Sequence, residues 1–284
     1  MWLFFLAIHL VGFSGYNLVL RKALIDNVDR WTLATIMQTA IAIPMVLAVL
    51  VAPPQVAIYD SKSLGLIALI VPLTIALHIS NVMALKYLEA SVYSVLYNLR
   101  ILFTTILGIV FLNEDIIPLQ ILGGLLIFLA ILTVRQKGSK SLTRRGLEWG
   151  VVASIVISLL NLFEKELINI VGYLPYAIPV HIAAVIIMWV VLLARKQKVS
   201  LRVFQDSQTQ LLMVLRVLSA YGFGLAFYYG GKLSVSTYIS SLGVIITVIL
   251  GIILLGENDY LKQKIIATCM AVAGLTCILI ASLL

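Results

Sequence analysis

Apolar windows of about 19 to 23 residues follow one another along almost the whole chain, separated only by short polar punctuation. A helix rises 1.5 Å per residue, so windows of this length match a hydrocarbon core about 30 Å thick, and they lack the weak alternation of a membrane β-strand. Ten such spans are read, at about 2–20, 31–52, 64–85, 91–112, 116–134, 147–168, 175–194, 211–231, 235–255 and 262–283. With 62% hydrophobic and 11% charged residues and a mean hydropathy of +1.11, the chain is far from a soluble domain, which is about half apolar and about a quarter charged. The expected fold is an all-α integral membrane protein of ten transmembrane helices. The longest connection, near 195–210, is about fifteen residues and cannot form a soluble domain, so any function must sit within the bilayer.

The opening MWLFFLAIHLVGFSG has the length of a signal-peptide apolar region, but it lacks a basic flank and runs directly into the NLVLRK end of a full span. It is read as span 1. Cys269 and Cys277 both fall inside the last span and offer neither a disulfide framework nor a metal spacing, so no metal or other cofactor is expected. The formal charge of +8 does not imply nucleic acid, because the basic residues lie in interhelical loops. The odd-numbered loops hold 15 Lys and Arg and the even-numbered loops 3, while Arg100 and Arg216 lie within spans. The positive-inside rule then puts the odd loops in the cytoplasm and both termini outside, in a cell membrane of the inner or plasma type. No oligomeric state follows, and a monomer suffices.

Sliding the chain against itself by 143 residues brings SVYSVLYNL (91–99) onto SVSTYISSL (234–242). Thr104 then meets Thr247, Gly108 meets Gly251, Glu114 meets Glu257, Gln120 meets Gln263 and Ala130 meets Ala273. One residue out of that register, Ser14, Asn17, Leu18 and Arg21 meet Ser158, Asn161, Leu162 and Lys165. The chain therefore reads as two five-helix repeats, 1–138 and 139–284. Five is odd, so the second repeat enters the membrane from the opposite side. Inverted repeats are a transporter architecture, because one packing solution then serves two arrangements open to opposite faces.

The fourth span of each half ends in FLNEDI (111–116) or LLGEND (254–259), ahead of a Gly/Ala-rich fifth span. With ten spans in two repeats, this resembles the drug/metabolite transporter superfamily, in its EamA-type branch. The resemblance covers essentially the whole chain through loose motifs. It implies a secondary transporter for small metabolites, with the first four spans of each half around a central cavity and the fifth and tenth at the periphery. Members usually keep both termini in the cytoplasm, the reverse of what the loop charges give here.

Arg100 stands near the centre of span 4. Tyr93, Tyr97, Arg100 and Thr104, at i, i+4, i+7 and i+11, form one helical stripe with Asn98 on its flank. A mid-bilayer charge costs about 2.5 to 3.5 kcal/mol, so this stripe should face protein or water. A guanidinium suits a carboxylate or phosphate held at two points, which makes Arg100 the candidate anion ligand. The alternative is an internal ion pair with Glu164, Glu166 or Glu89. In the second half the same register gives Ser236, Ser240, Gly243 and Thr247, a small polar stripe expected to face the first across a cavity and to leave room in it. His78 and Asn81 share one face of span 3, and the repeat partner of His78 is Tyr221. His181 in span 7 and its partner Gln38 in span 2 lie at equal depth and join the candidate lining. His9 has no such partner and reads as a packing residue. Asn17 and Asn161, and with them Glu164, are candidate gate or coupling residues, against a plain interhelical hydrogen-bonding role for the asparagines.

The leading function is a secondary transporter carrying a small polar metabolite with an anionic group, such as an amino acid, organic acid, sugar phosphate or nucleotide sugar, by alternating access. A flippase for a lipid-linked sugar would use the same fold with a laterally open apolar slot. A membrane enzyme is disfavoured, since no HExxH, paired Asp motif, HxxxxD or Gly-rich phosphate loop occurs.

Overall fold

The computed structural model describes residues 1–26, 28–51, 59–112, 118–134, 143–196, 201–231, 233–257 and 259–281. Among these lie twelve α-helices, one short 3₁₀ turn and no strand: α1 (Trp2–Ile25), α2 (Arg30–Val51), α3 (Ser61–Tyr87), α4 (Ala90–Tyr97), α5 (Leu99–Leu112), α6 (Pro118–Val134), α7 (Arg144–Val171), α8 (Tyr173–Ala194), α9 (Ser207–Tyr228), α10 (Leu233–Ser241), α11 (Gly243–Leu255) and α12 (Leu261–Ala281). Eight stretches are long and apolar enough to cross a bilayer, in α1, α2, α3, α7, α8, α9, α10 with α11, and α12. The expected fourth and fifth spans are carried by shorter helices, α4 with α5 and then α6. The protein is an all-helical, multi-pass membrane protein.

Spans 4 and 9 are not the continuous helices expected from their apolar length. α4 gives way to α5 at Asn98, and α10 to α11 at Leu242. In both places the backbone tightens to i→i+3 hydrogen bonds. Asn98 and Ile101 donate to Val95 and Asn98 at 3.2 and 3.1 Å, and Leu242 and Ile245 donate to Ile239 and Leu242 at 3.1 Å each, the Leu242 N–H being shared with the Tyr238 carbonyl at 3.2 Å. A short 3₁₀ stretch inside a helix marks a hinge or local strain. Hydroxyl groups brace each break from outside: Ser158 Oγ donates to the Arg100 carbonyl at 2.7 Å, and Ser14 Oγ to the Gly243 carbonyl at 3.3 Å. Thr104 and Thr247 donate back to the same two carbonyls at 2.7 and 3.0 Å.

Helix α1 packs against α9, α3 against α7, α2 against α8 and α6 against α12. Two of these crossings are set by glycine. A Cβ on Gly12 would stand 2.5 Å from the Ser219 nitrogen, and one on Gly222 2.7 Å from the His9 nitrogen, so the α1 and α9 backbones touch. Gly123 and Gly274 meet each other's carbonyls in the same way at the α6–α12 crossing. In lipid, helices associate where small residues let backbones close up, because burial from water supplies no drive between them. Aromatic and aliphatic side chains fill the remainder in two buried clusters, one around Phe13, Tyr16, Tyr93 and Tyr97 and the other around Leu6, Tyr173, Tyr176 and Phe227.

The LLGEND motif has a mechanical role. Glu257 is buried and accepts the Ala90 and Ser91 backbone N–H groups at 2.7 and 2.9 Å and the Ser91 hydroxyl at 2.5 Å. It caps α4 from the far end of the sequence, placing a carboxylate on the positive pole of that helix. Lys264 Nζ donates to the Glu257 carbonyl at 2.7 Å and forms an ion pair with Glu89. FLNEDI from residue 113 onward, including Glu114, lies outside the described residues, as do several of the loop cations counted above. Replacing Glu257 by Ala strands two buried N–H groups, so a loss of about 1 to 3 kcal/mol per stranded group is expected, read as a lower Tm of the purified protein.

Candidate functional site: a central chamber with two arginines

A chamber with a cavity volume of about 80 Å3 lies between α1, α2, α3, α7, α8 and α9, with Tyr97 of α4 and Arg100 of α5 in its wall. Among the described residues, none of α6, α10, α11 or α12 lines it. The chamber is displaced toward one end of the bundle. Tyr173 and Tyr176, in the first turn of α8, stand at one end of it, on the side of the even-numbered loops. Its lining stops at Tyr16, Asn81 and Tyr97 toward the other face. Between that end and the odd loops lie Arg21, which donates to the Leu85 and Lys86 carbonyls at 2.8 and 3.1 Å, and the Glu257–Lys264–Glu89 cluster.

Arg100 is only 3% exposed and forms no ion pair among the described residues. The three acids that could have neutralised it are engaged elsewhere. Glu89 pairs with Lys264, Glu166 with Lys62 at 2.7 Å, and Glu164 accepts the Tyr176 hydroxyl. Arg100 instead donates through Nη2 to Ser240 Oγ at 3.0 Å and Ser241 Oγ at 2.9 Å, and its guanidinium lies 4.9 Å from the Tyr97 ring centroid and 5.6 Å from that of Phe13. These groups orient the guanidinium without cancelling its charge. Its Nε has no partner among the described residues.

His9 extends the support. Its Nδ1 lies 2.7 Å from the Ser219 carbonyl, which can only accept, so Nδ1 carries the proton. Nε2, 2.6 Å from Ser240 Oγ, is then the acceptor for that hydroxyl. Hydrogen bonds thus run in one direction, from Arg100 to Ser240 to His9 to Ser219. His9 was expected to pack helices together; it does so and also lines the chamber.

A second guanidinium, Arg216 of α9, lines the same chamber. It lies 5.0 Å from the Tyr16 ring centroid, forms no ion pair among the described residues, and its Nε is without a partner there. Sequence reasoning passed over it, although the rule that singled out Arg100, an ionisable group inside an apolar span, applies to it equally. Asn161 also lines the chamber, with neither amide atom partnered among the described residues.

Of the other expected site residues, Tyr97, Asn81, His181 and Glu164 line the chamber. Tyr93 stands behind the wall and donates to Asn81 Oδ1 at 2.5 Å. Gln38 donates to the His181 carbonyl at 3.2 Å and lies 3.3 Å from His181 Nδ1. Tyr221 donates to the Ile41 carbonyl at 3.2 Å. Asn98, His78, Asn17 and Thr247 are buried away from the chamber. Ser240 acts through Arg100, so the two polar stripes touch instead of facing each other across open space. Nor does Gly243 leave room: a Cβ there would lie 3.2 Å from Ser14 Oγ and 3.3 Å from Leu10.

Fold and chamber define a multi-pass helical membrane protein built around buried cations with no ion-pair partner among the described residues. The model of the EamA-like transporter family, which is of the drug/metabolite transporter superfamily, matches residues 1–136, so the first half of the chain is similar to that family. A solved protein known from its crystal structure has the same fold, with a TM-score of 0.67 at 14% identity over 97% of this chain and 99% of its own. Among curated proteins none matches this sequence.

Replacing Ser240 and Ser241 together by Ala removes both acceptors of the buried guanidinium. A loss of about 1 to 3 kcal/mol is expected, measured as a fall in Tm, with little change when the exposed Ser207 is replaced in the same way.

Proposed function

We propose that the protein is a secondary transporter, and not an enzyme, moving a small polar metabolite with an anionic group by alternating access between two inverted five-helix repeats, 1–138 and 139–284. One observation carries the substrate chemistry: Arg100 and Arg216 both line the chamber, and neither has a carboxylate partner among the described residues. A buried cation left without a counterion is tolerated where a ligand supplies one. Carboxylates and phosphates meet the two-point geometry of a guanidinium, and Asn161 adds one donor and one acceptor. The polar and aromatic lining favours a water-soluble metabolite over a lipid-linked one. Glu164, held by Tyr176 toward the even-loop face, is the candidate coupling group.

The pairing of helices supports the repeat reading. Exchanging the two halves turns the α1–α9 contact into the α7–α3 contact and leaves the α2–α8 and α6–α12 contacts unchanged. The hydroxyl braces at the two helix breaks exchange likewise. Gln38 and His181, matched at the 143-residue offset, touch each other, as residues beside a two-fold axis must. We place the odd loops in the cytoplasm of a cell membrane on their excess of Lys and Arg. A single chain encloses the chamber, so a monomer suffices.

The test is a thermal-stability screen of purified protein against small carboxylates, phosphates and neutral polar metabolites. An anion at about one hundred times its Kd should add about 2.7 kcal/mol and raise the Tm of the wild type but not of Arg100→Ala. Equal stabilisation of both proteins by anions overturns the assignment of the anion site.

A further inference from the structure

We infer that Asn17 is a substrate-contacting residue of the conformation in which the chamber faces the odd-loop side, doing there what Asn161 does toward the even-loop side. This rests on the alternating-access reading above. Asn17 is wholly buried on α1, outside the chamber, and neither its Oδ1 nor its Nδ2 has a hydrogen-bond partner among the described residues. A buried carboxamide with both atoms unpaired destabilises the state that holds it, where leucine of similar size would not. An interhelical hydrogen bond, the ordinary reason for asparagine inside a membrane helix, is not formed among the described residues.

Asn161 carries the same pair of unpartnered atoms, but it borders the chamber. The two asparagines also sit in matching frames. Three residues before each, a serine braces a helix break, Ser14 on the Gly243 carbonyl at 3.3 Å and Ser158 on the Arg100 carbonyl at 2.7 Å. Four residues after each, a cation bonds carbonyls near the end of the facing helix or just past it, Arg21 those of Leu85 and Lys86 and Lys165 that of Gly231. If the halves exchange conformations, these frames exchange roles, and the Asn17 amide is uncovered on the side that Arg21 and the Glu257–Lys264–Glu89 cluster now close. The amide then meets the same polar metabolite with one donor and one acceptor.

The experiment uses the full chain with Cys269 and Cys277 replaced by serine, reconstituted in vesicles of known orientation. Single variants Asn17→Cys and Asn161→Cys are treated with the membrane-impermeant anionic reagent 2-sulfonatoethyl methanethiosulfonate from one face at a time. The inference expects Asn161→Cys to be modified from the even-loop face and Asn17→Cys from the odd-loop face, each at least about tenfold faster than from the opposite face. Modification of Asn161→Cys from the even-loop face, with Asn17→Cys unreactive from both faces or reactive from the even-loop face, overturns the role of Asn17 and leaves the chamber standing. An Asn161→Cys that reacts from neither face overturns the chamber reading and this inference together. Should Asn17→Cys not yield monodisperse protein, Leu20→Cys reports on the same face by the same criteria, since Leu20 is buried one turn further along α1, where Glu164 stands in the other half.

Discussion

The structure depends on keeping a guanidinium ionised in the middle of an apolar bundle with no counterion among the described residues. Arg100 has three neutral kinds of support: two serine hydroxyls, two aromatic faces and, one bond further out, His9. Each stabilises the cation by oriented dipoles or by a ring quadrupole, and none carries a formal negative charge. A carboxylate in the same place would stabilise the charge more strongly and would also remove it as a binding group.

The supports reach Arg100 because the helices carrying them are held unusually close. His9 can meet both the Ser219 carbonyl and Ser240 only because Gly12 and Gly222 bring the α1 and α9 backbones into contact. Arg100 can reach Ser240 and Ser241 because both hydroxyls lie beside the break between α10 and α11, while Arg100 itself follows the break between α4 and α5. Packing, hinge and charge are therefore one system.

The ends of the bundle are unequal. On the odd-loop side, Glu257 caps α4, Lys264 ties Glu257 to Glu89, and Arg21 ties α1 to the end of α3. On the even-loop side the chamber reaches the first turn of α8, and the ion pair there, Lys62 with Glu166, is largely exposed and contributes little. Halves that pair their helices in the same way still differ in the side chains that close each end of the bundle.

The sequence by itself determined the membrane setting, the helical class and the kinship of the first half with a transporter family, because hydropathy, spacing and motif are local properties of the chain. It also singled out Tyr97, Asn81, His181, Asn161 and Glu164, all of which line the chamber. Only the tertiary structure decided that Ser240 and Thr247 stand behind the wall, that His9 and Arg216 belong to it, that Glu164, Glu166 and Glu89 each have another partner, and that spans 4 and 9 break. Those outcomes depend on how helices far apart in sequence rotate against one another. A helical face says which residues share a side but not which neighbour that side meets, and the glycine contacts that fix the rotation look in sequence like any other small residue in a membrane helix.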